Sequence, residues 1–190
     1  WRLSDNPEVT PYTDDNVYWL TVSTGAGGRG MGEVWVRPAG GVPTPDHART
    51  IHVEANTFFY PKVAAGDGKD HWFDGRLYNP AGGNHALRRL AYTLDLADLS
   101  RRPHQASLEL GLCGGVNSAA VDPDHHVVVR VNGQAVGETR WDALASNRAS
   151  FAVDSGILVA GANTVELDLP GDTGASYDLV YPNYARLSYR

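Results

Sequence analysis

Cysteine occurs once in these 190 residues, at Cys113, so no internal disulfide holds the chain together. Lysine is nearly missing, with Lys62 and Lys69 alone, and the formal net charge is −6. A nucleic-acid partner needs a clustered basic surface to displace counterions, and none is present. No apolar run approaches the roughly 20 residues that a membrane helix requires, which argues against insertion of that kind. The Gly-x-Ser-x-Gly elbow of a serine hydrolase is missing as well. Seven histidines are scattered without the spacing of a zinc site. His125 and His126 are adjacent, so on a strand they face opposite sides and do not chelate one ion together.

Glycine (21) and proline (11) are plentiful, and charged residues make up only 20%, a balance that favours short strands and turns over solvated helices. Period-two alternation recurs along the whole chain. It marks strands near 17–22, 33–37, 50–55, 90–96, 106–112, 127–131, 134–139, 149–153 and 163–169. A last strand or pair covers 177–180 and 184–189. Asn132-Gly133, set between alternating apolar residues, predicts a type I′ hairpin, because both residues tolerate positive φ. In the turn before Val165 and Leu167, Asn163 is expected to bridge the backbone through its side chain while those two point inward. Helical signals are confined to single turns near 94–100 and 141–147. The reading is an all-β chain: one β-sandwich (jelly-roll) domain over 1–190, built from about ten antiparallel strands.

Several short segments resemble the β-rich region that accompanies the catalytic domain in bacterial gingipain-like cysteine peptidases. They are Asn16 to Leu20, Lys69 to Phe73, the run Asp124 through Gly133, Val136-Gly137-Glu138, Trp141-Asp142 and Gly161 to Val165. The resemblance implies a non-catalytic accessory domain of a secreted protein, with an adjoining peptidase domain as its partner. In that family the His/Cys dyad belongs to a caspase-like α/β domain, and no βαβ alternation occurs here. Cys113 lies in Leu112-Cys113-Gly114-Gly115 at an apolar strand end, which raises a thiol pKa, so it reads as a buried structural residue. Because the chain opens at Trp1 without methionine, we expect a mature or excised segment of a longer exported protein.

Two binding chemistries remain open from the residues themselves. Sugar sites on β-sandwiches use exposed rings flanked by polar groups, and Trp72, Tyr78, Tyr181 and Tyr184 are the candidates for a polysaccharide-binding module. Trp141, Tyr12 and Tyr60 are further candidates, whereas Trp19 and Trp35 lie within alternating strands and read rather as core residues. Loop carboxylates offer oxygen ligands for a structural calcium ion, and Asp122, Asp124, Asp172 and Asp178 are the candidates, with Asp67 and Asp70 a further acidic loop. Each has the simpler role of an aspartate that bonds its own turn. Glu54, Glu109 and Glu166 sit at alternating positions, where an outward-facing charge is ordinary and a glycosidase pair is not required. A third role, assembly of neighbouring copies through edge strands, follows from the strand content alone.

Overall fold

A computed structural model describes residues 47–62 and 71–190. The strands expected near 17–22 and 33–37, the aromatic candidate Tyr12, the acidic loop at Asp67 and Asp70, and the extent of a single domain over 1–190 lie wholly or partly outside the described residues. Those described fall within one compact unit, Asp46–Arg190.

Among the described residues the chain forms eleven strands, all paired antiparallel. They are β1 (Arg49–Val53), β2 (Phe58–Phe59), β3 (Trp72–Phe73), β4 (Leu77–Pro80), β5 (Arg89–Leu96) and β6 (Gln105–Gly114), then β7 (His125–Val131), β8 (Gln134–Trp141), β9 (Ser146–Asp154), β10 (Gly161–Asp168) and β11 (Tyr177–Tyr189). One sheet runs β1-β11-β6-β9, with β4 also paired to β11, and the other runs β5-β10-β7-β8. Leaving aside β2, β3 and β4, these eight strands follow the jelly-roll order of two Greek keys. The short hairpin of β2 and β3 stands apart as a third, two-stranded sheet.

The alternation that marks the strands also fills the interior. Tyr92, Leu94 and Leu96 of β5 are buried, as are Val127, Val129 and Val131 of β7 and Val165 and Leu167 of β10. They join Leu108, Leu110, Val153 and Leu187 from the opposite sheet in one cluster. Each such aliphatic side chain contributes about 1.5–3 kcal/mol by leaving water. The Asn132-Gly133 turn has φ of 48° and 82° and links β7 to β8, as its sequence predicts. Asn163 bridges its turn as expected: Oδ1 accepts from Val159 N at 2.9 Å, and Nδ2 donates to the carbonyls of Val159 and Gly161.

Of the two alternatives for the final segments, the structure has one continuous strand, β11, with a bulge between Pro182 and Tyr184 where it pairs with β6. Two local expectations are corrected. Neither expected helical turn forms: Trp141 ends β8, Ser146 opens β9, and β5 stops at Leu96. Instead 3₁₀ turns occupy Ala86–Arg88 and Ser155–Ile157, where the side chains of His85 and Asp154 accept from Leu87 N and Gly156 N. Short polar side chains supply those caps, a signal without hydrophobic periodicity.

Because β1 to β11 complete two four-stranded jelly-roll sheets within the compact unit Asp46–Arg190, a fragment of residues 46–190 is expected to unfold in a single cooperative transition with β-rich circular dichroism. Non-cooperative melting of that fragment would contradict the topology.

Candidate functional site

On the outer face of the five-stranded sheet, one polar network crosses four strands. The bulge at Pro182 and Asn183 lies where β11 would otherwise need a ladder N–H from proline, which has none. Its extra residue resets the alternation, so Tyr184, Arg186 and Ser188 face outward while Ala185, Leu187 and Tyr189 enter the core. Tyr184 then stands opposite Gly111 of β6. Its ring lies directly over that glycine: a Cβ there would come within 2.3 Å of Tyr184 Cε1. Tyr184 Oη donates to Glu109 Oε1 at 2.9 Å and accepts from Arg148 Nε at 3.2 Å. Arg148 Nε and Arg186 Nη1 both lie 3.6 Å from the same Glu109 oxygen. Arg186 stacks over the Tyr184 ring, and its Nε donates to His52 Nδ1, whose Nε2 meets Glu54. Burial, then the bond to Glu109, raises the Tyr184 phenol above its ordinary pKa against the opposing pull of Arg148, keeping it a neutral donor. The Tyr184 ring is therefore held by its neighbours on three sides of the network.

Of the other aromatic candidates, Trp72 is 42% exposed and pairs across the β2–β3 hairpin with the exposed Phe59. Tyr78 is half-buried, edge-on to His85 and beside Tyr177. Tyr181 is corrected. It is only 3% exposed, because the β2–β3 hairpin folds over it: Tyr60 stacks on its ring at 4.2 Å, with Phe58 and Phe73 beside it. The backbone of Asp74 anchors this cover by donating to Pro182 O at 2.8 Å. The Tyr181–Tyr184 platform expected from the sequence thus reduces to Tyr184. Cys113 packs buried in the same aromatic cluster, as expected of a structural thiol. Trp141 packs on the His125 ring.

The four candidate calcium ligands do not converge. Asp122 is exposed, whereas Asp124 is fully buried and accepts from Ser118 N and Ala143 N. Asp178 lies between the sheets: Oδ1 accepts from His125 Nδ1 at 2.7 Å and Oδ2 from His126 N at 3.0 Å. Asp172 instead meets His126 Nδ1 on the outer face, at 2.6 Å. Burial opposes ionisation of Asp172, but the His126 bond and Arg140 outweigh it and lower its pKa. Among the described residues no three His, Cys, Asp or Glu side chains are grouped as a metal site. Oxygens already occupied by N–H donors do not fit a hard cation.

His125 is the group whose importance its sequence neighbourhood conceals. The scattered histidines carry no zinc-site spacing, and this one is fully buried and hydrogen-bonded at both nitrogens. Nδ1 faces Asp178, and Nε2 faces the carbonyls of Ala143 at 3.0 Å and Val116 at 3.2 Å. Both nitrogens meet only acceptors, so both carry protons and the ring is an imidazolium. Burial works against that charge, yet the Asp178 bond and charge, the Ala143 carbonyl and Asp124 overcome it, raising the pKa. Gly114 is required alongside, since a Cβ there would lie 2.1 Å from Ala143 O and 2.5 Å from His125 Nε2.

No protein-family model matches the chain, and no curated protein matches it in sequence. Among solved structures, dimeric latent PorU from Porphyromonas gingivalis is similar over 75% of this chain and 12% of that one, with a TM-score of 0.53 and 8% identity. That likeness is one of fold. The chain spans about an eighth of the PorU chain's length. Fainter likenesses reach the CBM36-1 domain of a multidomain xylanase from the hindgut metagenome of Trinervitermes trinervoides (TM-score 0.45, 14% identity, 73% of this chain and 96% of that one). They also reach CBM35 from Cellvibrio japonicus Abf62 (TM-score 0.46, 14% identity, 73% and 92%). The described residues form an all-β sandwich, with a likeness to a PorU segment and a fainter one to carbohydrate-binding modules.

Removing one member of the buried pair leaves the other charge uncompensated, so Asp178→Asn is expected to cost about 3–5 kcal/mol of stability. His125 has a folded-state pKa above its ordinary value of 6.5, so its contribution is complete below that pH and fades as pH rises through the folded value. Urea denaturation of the wild type across this range should show stability falling with pH, and His125→Gln should flatten that slope.

Proposed function

We propose that this chain is a non-catalytic accessory module of an exported, multidomain peptidase, a rigid sandwich that supports or positions an adjoining catalytic domain. One observation carries the reading: the reactive groups best placed for chemistry among the described residues are committed to structure. Cys113 lies in the aromatic cluster beneath the hairpin, His125 is locked between a carboxylate and two carbonyls, and Asp124 and Asp178 serve N–H donors. A nucleophile or general base must be free to give or take a proton, and these groups are held away from that. The interior between the sheets is filled by aliphatic side chains rather than open to substrate. The fold likeness to a small segment of a much longer chain supports a modular origin.

A structural calcium ion would need ligands beyond Asp122, Asp124, Asp172 and Asp178. Export and the neighbouring peptidase domain are part of the proposal.

The purified chain is expected to hydrolyse neither peptides nor glycosides, and the flanking gene sequence to encode a caspase-like domain. In that longer protein, deleting residues 47–190 should lower the melting temperature or the secreted yield of the peptidase. Hydrolysis by the isolated chain, or a peptidase indifferent to the deletion, contradicts the proposal.

A further inference from the structure

We infer that the open edge of β9 is a self-association surface, to which a second copy of this chain adds its own β9, antiparallel, about a two-fold axis at Phe151. The inference goes beyond the reading as an accessory module and requires no peptidase neighbour.

Edge strands commonly carry a device that blocks further pairing: a bulge, a proline, a lysine or a very short length. Among the described residues β9 pairs with β6 alone, along the strand and without a register shift. It contains neither proline nor lysine. The other edges are less open to addition. β1 has only five residues, and β8 is bulged where its pairing with β7 shifts between Val129 and Arg130. β5 is as straight as β9 and carries Arg89 and Asp95 at matching positions, but the Arg89 guanidinium is engaged by Asp168 and Glu166 of its own sheet.

The phase of the ladder determines which groups β9 offers. At its two ends Gly114 N donates to Ala145 O and Ser155 N donates to His104 O, in the register of the β6–β9 pairing. In an antiparallel pair, residues that exchange hydrogen bonds alternate with residues whose N–H and C=O point the other way. The odd-numbered residues from Ala145 to Ser155 therefore bond β6. Arg148, Ser150, Ala152 and Asp154 turn their N–H and C=O groups to the open edge. All four are exposed, and the central two are small.

Charge then selects the occupant and the register. Arg148 and Asp154 are the only charged residues of β9. With the axis at Phe151, each copy's Arg148 stands opposite the second copy's Asp154, and Ser150 stands opposite Ala152. Every edge-directed N–H and C=O of these four residues then has a backbone partner. Sliding to the next hydrogen-bonding register keeps the ladder but separates both charge pairs. Arg148 engages Tyr184 and Glu109 through Nε and is 68% exposed, so its terminal nitrogens can reach a further carboxylate. Asp154 caps Gly156 N through Oδ1, which leaves Oδ2 for that contact. An unrelated extended peptide satisfies the backbone alone, whereas a second copy supplies the acid and the base at both ends, as an isologous interface does.

The test is sedimentation equilibrium of the full chain from micromolar to millimolar concentration, with circular dichroism to confirm that each variant folds. One added strand pair makes a small interface, so the wild type should show a weak monomer–dimer equilibrium. Asp154→Lys and Arg148→Glu each place like charges opposite one another at both ends of the homodimer, and each should weaken association at least about tenfold. Mixing these two variants restores both opposite-charge pairs and should recover a dimer close to wild-type strength. Ala152→Pro removes an N–H that β6 does not use and should abolish the dimer, which keeps the test decisive if a charge reversal does not fold. A wild type still monomeric at millimolar concentration, the result expected if another protein's strand occupies this edge, overturns the inference. So does a dimer indifferent to these substitutions, or a mixture no stronger than its components. None of these results bears on whether a peptidase domain adjoins the chain.

Discussion

A single charged contact between the two sheets organises this sandwich: the buried imidazolium of His125 against the carboxylate of Asp178. His125 sits on β7 of one sheet and Asp178 on β11 of the other, both pointing into the interior. A buried ion pair is tolerable only when its remaining donors and acceptors are satisfied, and here they are. The second imidazole N–H reaches the Ala143 and Val116 carbonyls, and the second carboxylate oxygen takes His126 N. Asp124 holds the Ala143 and Ser118 N–H groups from the other side. Two loops and two sheets are thus referenced to one ring, and Gly114 must stay small to leave space for it.

From that fixed point the outer face follows. Asp178 lies near the start of the strand that also carries Tyr181 and Tyr184, and both rings point outward only because the Pro182 bulge inserts a residue between them. One is covered by the β2–β3 hairpin and the other is left on the surface over Gly111. Where the interior of the described residues keeps polar groups, it uses them as structure, and Glu109, Arg148 and Arg186 pair with one another on the outer face within reach of solvent.

What is legible in the sequence is local. Alternation locates β1 and β5 to β10, and it places the core positions Val129, Val165 and Leu167. Turn chemistry identifies Asn132-Gly133 and Asn163, because those side chains act within a few residues of themselves. Partnerships between distant segments are not legible. His125 and Asp178 are 53 positions apart, and nothing in either neighbourhood announces the other. The bulge between Pro182 and Tyr184 is not legible either, since it is a one-residue event that leaves no periodic trace. Glu109, Arg148 and Arg186 read along the chain only as ordinary outward charges. Their convergence needs the register of three strands at once. An outward glycine opposite an aromatic residue is the one signal that points to the site, and it too depends on register.

This organisation requires His125 to be protonated on both nitrogens within the folded protein. Long-range ¹H–¹⁵N NMR of the imidazole at mildly alkaline pH, where a free ring is neutral, addresses this directly. Two protonated, similarly shifted ring nitrogens are expected for His125. One nitrogen showing the far-downfield resonance of an unprotonated imidazole, in a protein still folded, would contradict it.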